Sequence, residues 1–118
     1  MQSIAHSNFV RFAPRKVNQV LELVRKKSVI EAMRLLRFVP KSSSVMVAKT
    51  IKSAAANAGD REIKNPNLIV EAAWVGQGPT LKRMRPYAMG RGFTYKRKTC
   101  HLTVVVSERK SKTAIAAK

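Results

Sequence analysis

Acidic residues are what this chain lacks most. Of its 118 residues, six are Asp or Glu against 24 Lys or Arg, giving a formal net charge of +18. The shortage argues against chemistry that needs paired carboxylates, whether general acid–base catalysis or a magnesium site. Histidine is nearly as scarce, with only His6 and His101, and Cys100 is the sole cysteine. One thiol excludes an internal disulfide and fits a reducing compartment. One Cys and two His leave a zinc site short of ligands, so no metal or other cofactor is expected. Cys100 and His101 are neighbours, but adjacent side chains of a strand point to opposite faces and cannot easily act on one atom. Long apolar runs are missing too, and none approaches the roughly 20 residues of a spanning helix. The N-terminal MQSIAHSNFVRF has neither the apolar core of a secretory signal nor the composition of an organelle import segment. The chain is therefore expected to be made and used in one compartment.

What is present in excess is positive charge, the electrostatic footprint of a nucleic-acid partner. A basic membrane-surface protein would set cations along one helix face opposite large apolar residues. Here the cations spread over the whole chain, so no membrane partner is expected. No paired Cys-His finger spacing and no aromatic-rich sheet signature is present. Gly90-Arg91-Gly92 is not a nucleotide-phosphate loop, because no strand-to-helix turn follows it.

The N-terminal segment 2–12 alternates loosely around Ile4, Phe9 and Phe12 and reads as extended, suited to a sheet edge. Pro14 suits the first position of a helix. Val17, Val20, Leu21 and Val24 follow at one-face spacing, and the helix should stop near Arg25–Lys27. Ser28 with Glu31 three residues later predicts the start of a second helix. Its apolar face is Ala32, Met33, Leu35 and Leu36, and Val39-Pro40 ends it. A third helix is expected from about Ser42 to Ala58 on a stripe of Val45, Ala48, Ile51, Ala55 and Ala58, with Gly59 closing it. A polar connection, 59–66, leads to a strand over Leu68–Val75, in which Trp74 is expected to pack; stacking on RNA is its second reading. The strongest strand is Leu102–Val106. One domain over 1–108 is expected, followed by a basic tail, 109–118, that is mobile or ordered only on a partner.

Between the last two strands lies Gly78–His101, with seven Lys or Arg and no acid. Its arms are of nearly equal length about Gly90-Arg91-Gly92, which predicts a β-hairpin prolonging both strands, its tip near Met89–Gly92. Each arm of about 11 residues reaches on the order of 35 Å, about as far as a compact chain of this length is wide. Burying seven unpaired cations would cost several kcal/mol each, so the hairpin must stand clear of the core. Met84, Tyr87, Met89, Phe93 and Tyr95 are interleaved with the cations. They suit stacking on unpaired bases of folded RNA as well as packing across the ribbon. His101 should close the hairpin's base by hydrogen bonding or touch phosphate.

The ordered series Gly78-Pro79, Lys82-Arg83, Pro86, Ala88, Gly90-Arg91, Arg97-Lys98-Thr99, His101 and Val104-Val105-Val106-Ser107 resembles the bacterial-type large-ribosomal-subunit protein twenty-two family. Lys16-Val17, Val24-Arg25, Pro40-Lys41, Ser53-Ala54 and Ala56-Asn57-Ala58 extend the resemblance to roughly residues 4–108. It implies an α+β fold, with three helices packed on a small antiparallel sheet and one long protruding β-hairpin. It implies no enzyme but a structural constituent of the large ribosomal subunit that binds its 23S-type rRNA and aids assembly. Neighbouring large-subunit proteins, and the nascent polypeptide in the exit tunnel lined by the hairpin, are the other implied partners. The rRNA contacts would fall to Arg11, Arg15, Lys16 and Arg25, then to Lys82, Arg83, Arg85, Arg91, Lys96, Arg97, Lys98 and His101. The tunnel-lining tip would hold Met84, Arg85, Tyr87, Met89, Gly90 and Arg91. The implied location is the ribosome of a bacterial cytoplasm, or of an organelle stroma or matrix if the chain is organelle-encoded. Departures from the family pattern are Lys26 where Gly is usual, Cys100 where Ser is common, Phe93 and Tyr95 on the return arm, and a longer tail. A basic DNA-binding regulator using the helices of 14–39 is the alternative, and a basic nucleic-acid-processing enzyme is disfavoured by the missing acids.

Overall fold

A computed structural model describes residues 2–60 and 62–108; the basic tail lies outside the described residues. Five strands and three helices follow in the order β1 (Gln2–Val10), α1 (Pro14–Val24), α2 (Val29–Phe38), α3 (Ser44–Asn57), β2 (Leu68–Gln77), β3 (Leu81–Pro86), β4 (Gly92–Arg97) and β5 (Cys100–Glu108). The fold is α+β. β5 lies between β1 and β2 in an antiparallel sheet, which places β1 at an edge as its loose alternation predicts. β3 and β4 pair only with each other.

The helices cover one face of the three-stranded sheet, α1 against β2 and α3 across β1 and β5, with α2 packed on α3. Val17, Val20, Leu21 and Val24 are all buried, so the spacing in α1 was a true core stripe. They meet Ile51, Ala54 and Ala55 of α3 and Leu68, Val70, Leu102, Val104 and Val106 of the sheet in one cluster. In α2, Ser28 Oγ accepts from the Glu31 N–H at 3.2 Å, which is the cap the sequence predicts. Leu35 stands mostly outward there, and Val29 joins Ala32 and Leu36 in the core.

In α3 the predicted stripe is displaced. Ile51 and Ala55 are buried, but so are Ser44, Val47, Thr50 and Ala54, and Val45 is exposed. The polar members can be buried because each is bonded. Ser44 Oγ donates to Lys41 O at 2.7 Å and Thr50 Oγ1 to Met46 O at 2.9 Å. α3 ends as expected. Gly59, at φ +94°, donates to Ala56 O and Asp60 N–H donates back to Ala55 O, the two bonds of a Schellman closure. The Asp60 carboxylate then accepts from the Lys64 and Asn65 N–H groups, which holds its pKa below the ordinary 3.8.

Trp74 does not pack as predicted; it is 50 % exposed. The pairing of β2 with β5 shifts by one residue at Glu71, a bulge that exchanges the faces of the strand. Leu68 and Val70 before the bulge and Ala73 after it are buried. Trp74 is thereby placed beside Thr103 on the face no helix covers.

Lys26, in the link between α1 and α2, adopts φ 67°, the left-handed conformation that favours glycine. Two backbone bonds tie this link to β2: Lys26 N–H to Val70 O and Val70 N–H to Lys27 O, both 2.8 Å.

Candidate nucleic-acid interface

The β3–β4 ribbon leaves the sheet where β2 and β5 end. Gly78 N–H donates to Thr99 O, and Thr99 Oγ1 donates to Pro79 O. A Cβ on Gly78 would lie 2.7 Å from Thr99 Oγ1 and 3.3 Å from His101 Nε2, so the close approach requires glycine. Pro79 has no N–H to continue the ladder, and pairing resumes one residue out of phase, with Leu81 opposite Arg97. The hairpin therefore prolongs the body's strands with a break at its base and forms its own sheet.

The register segregates the side chains. Arg83 pairs with Tyr95 and Arg85 with Phe93 on one face. Tyr87 stacks on Phe93 at 4.6 Å between centroids, and the Arg85 and Arg97 guanidinium carbons each lie 5.1 Å from the centre of Tyr95. The other face carries Lys82 opposite Lys96, Met84 opposite Thr94, and Pro86 opposite Gly92. Two like charges directly across a ladder repel. Both packing along the ribbon and exposed apolar area are thus present: Tyr87 and Phe93 stack, while Met84 is 75 % exposed and Met89 98 %. The tip is Tyr87–Arg91, closed by Tyr87 N–H to Arg91 O, with Met89 at φ 62°. It is centred slightly before the predicted Met89–Gly92, because β4 already begins at Gly92.

Where ribbon meets body, a cleft of about 660 Å³ opens. Arg11, Phe12 and Lys16 line it from the body and Arg83, Tyr95, Lys96, Arg97 and Lys98 from the ribbon, and no acid lines it. Among the described residues only Lys27–Glu31 and Lys64–Glu62 form ion pairs, both away from this cleft. Six cations around one concavity focus a positive potential and attract a polyanion.

The remaining predicted residues fall into two groups. Arg15, Lys82 and Arg91 are exposed. Arg25 and His101 are turned to the fold. Arg25 donates to Asn18 Oδ1 at 2.7 Å and to Ala73 O at 2.8 Å. His101 Nδ1 accepts from the Phe9 N–H at 3.0 Å, and the two rings meet edge to face at 4.8 Å. His101 thus makes its hydrogen bond to the edge strand beside the hairpin's base, while the bonds across the base itself come from Gly78 and Thr99. Cys100, on the opposite side of the strand, is fully buried, and burial pushes its thiol pKa up. Sequence reasoning assigned no place in this cleft to Phe12 or Ser42. The pairing of Tyr95 with Arg83 could have been counted from the tip; the approach of Phe12 and Ser42 to the ribbon has no local signal.

The site is thus a basic ribbon and cleft on an α+β body, an arrangement whose positive potential attracts anions. The chain belongs to the ribosomal protein L22p/L17e family, whose model matches residues 5–107. This family is structural and not enzymatic. The chain is 49 % identical over 108 residues to the large ribosomal subunit protein uL22 of Endomicrobium trichonymphae, covering 92 % of this chain and 93 % of that one. It is 44 % identical over 111 residues to the uL22 protein of Pelotomaculum thermopropionicum and 46 % over 111 residues to that of Desulforamulus reducens. Each of those alignments covers 93 % of this chain and 98 % of the relative.

Proposed function

We propose that this chain is a structural constituent of the large ribosomal subunit. It binds large-subunit rRNA through the cleft at the ribbon's base and through the ribbon, and aids assembly by bridging RNA segments. The observation that carries the reading is the six-cation, acid-free cleft continuous with the ribbon. Arg11, Lys16, Arg83, Lys96, Arg97 and Lys98 supply its phosphate contacts; Arg15, Lys82, Arg85 and Arg91 extend them along the exposed surface. Arg25 and His101 serve the RNA surface indirectly, by holding the α1–β2 contact and the edge strand beside the ribbon's base. Tyr87, Phe93 and Tyr95 keep the ribbon in shape and offer ring faces to unpaired bases.

The tip, with Met84, Arg85, Tyr87, Met89, Gly90 and Arg91, lines the nascent-chain tunnel on this reading. Its exposed Met84 and Met89 offer a sliding polypeptide apolar, unanchored contacts, while Arg85 and Arg91 are taken up by phosphate on this reading. The bacterial-type relatives favour a bacterial ribosome in the cytoplasm as the site of action. Neighbouring ribosomal proteins are the remaining partners. Domain limits of 1–108 with a separate basic tail belong to the same proposal. Co-sedimentation with large subunits depleted of their own copy, at moderate salt, tests it. Stoichiometric retention is expected, and chain left in the supernatant at salt that preserves the subunits would overturn it.

A further inference from the structure

A second concavity lies away from the ribbon, between α2 and α3, with a volume of about 820 Å³. Its apolar lining is Ile30, Met33, Ala48 and Ile63, with the exposed Val45 at its edge. Its rim is cationic, with Arg34 and Arg37 of α2, Lys41 of the connection, and Lys49 and Lys52 of α3. No acid lines it, and among the described residues none of these five cations forms an ion pair, although the Lys64–Glu62 pair flanks Ile63.

We propose that this groove is the docking site for an acidic amphipathic helix of another protein. Charge complementarity sets the sign of the partner: five rim cations with no internal partner await carboxylates. The apolar lining sets its class. An RNA backbone gains nothing from burying methionine and isoleucine, whereas an amphipathic helix lays apolar residues at i, i+3, i+4 and i+7 into such a groove. A methionine in the lining adapts to side chains of differing shape. The contrast with the cleft at the ribbon supports the division. There the walls are cations and aromatic rings, suited to phosphate and base; here they are aliphatic beneath a charged rim. The inference deepens the proposed function, since it gives a place and a chemistry to one protein neighbour in the assembled subunit.

The test uses the full chain and a fluorescent helical peptide of about 15 residues, Leu at i, i+3, i+4 and i+7 and Glu among the rest. Controls are a scrambled peptide of the same composition and an oligouridylate of about 12 nucleotides. The amphipathic peptide should bind and shift the NMR signals of Met33, Val45, Ala48 and Ile63. R37E combined with K41E should weaken that binding about tenfold or more. Because both residues are exposed, these substitutions leave the core intact. Ala48→Trp, which fills the groove, should do the same, and R83A combined with R97A should leave peptide binding unchanged. Equal binding of the scrambled peptide, no loss in R37E/K41E, or groove signals shifted by the RNA instead of the peptide would overturn the proposal. The ribbon substitutions report separately on RNA binding, so failure there would count against the proposed function and leave the groove result standing.

Discussion

Lys26 holds the α1–α2 link in a conformation that costs an L-residue about 1–2 kcal/mol. Its own N–H, bonded to Val70 O, makes the conformation worth keeping, and any residue with that backbone would supply the bond. Lys26→Gly should therefore stabilise the chain by about 0.5–1 kcal/mol, the relief exceeding the extra unfolded-state entropy of glycine. Urea denaturation checks this, and a lower midpoint in the variant would refute it. Asp60 gives a second residue-scale prediction. Its folded pKa lies below 3.8 because two backbone N–H groups bond the ionised form. Its stabilising contribution is present above that ordinary value and fades as pH falls through the lower, folded one. Asp60→Asn should flatten the stability profile in this acid range by lowering stability at neutral pH, and should leave stability below the folded pKa nearly unchanged. An unaltered acid limb in the variant would contradict this. Residue identity alone forecast that the Lys26 position was unusual only against the family pattern; that its backbone is left-handed follows from the bonds to β2, which no local pattern reveals.

At the scale of elements, α1 was legible because Val17, Val20, Leu21 and Val24 recur at helical spacing among mostly polar neighbours. α3 was less so. Apolarity ranks Val45 above Ser44, yet Ser44 and Thr50 are buried with their hydroxyls bonded, and Val45 faces outward. Trp74 failed for a related reason. The bulge at Glu71 exchanges the faces of β2, and a bulge leaves no mark in an alternation that is already imperfect. The hairpin was read well, since equal arms about a glycine pair need only the strand period. Its ladder, however, is separate from the body's sheet, and its contacts with the body are confined to the base. Deleting a cross-strand pair such as Met84 and Thr94 should leave the body's cooperative melting intact, because the core cluster contains no residue of β3 or β4. Loss of that cooperativity in the shortened chain would show the ribbon to be part of the core. Gly78→Ala should do more harm than the deletion, as its Cβ meets Thr99 and His101 at the base.

At the scale of the molecule, the described residues measure 72 × 26 × 25 Å with a radius of gyration of 18.1 Å. A compact chain of this length would have a radius near 13 Å. The excess is the ribbon, and the long axis matches a body and a hairpin of about 35 Å each laid end to end. That geometry was legible from counting residues. The cleft at the ribbon's base was not, because it joins Arg11 and Lys16 to cations 67 to 87 positions later. With +18 overall and two exposed ion pairs among the described residues, the chain repels itself until a polyanion neutralises it. Association with RNA should then be driven mainly by counterion release and fall steeply with salt.

The most direct measurement is the salt dependence of rRNA binding by the chain and by its K82A/R83A/R85A variant. The proposed function predicts weaker binding by the variant, with a log–log salt slope shallower by about 2 to 3, and reduced incorporation into the particle. Equal binding at every salt concentration would contradict it.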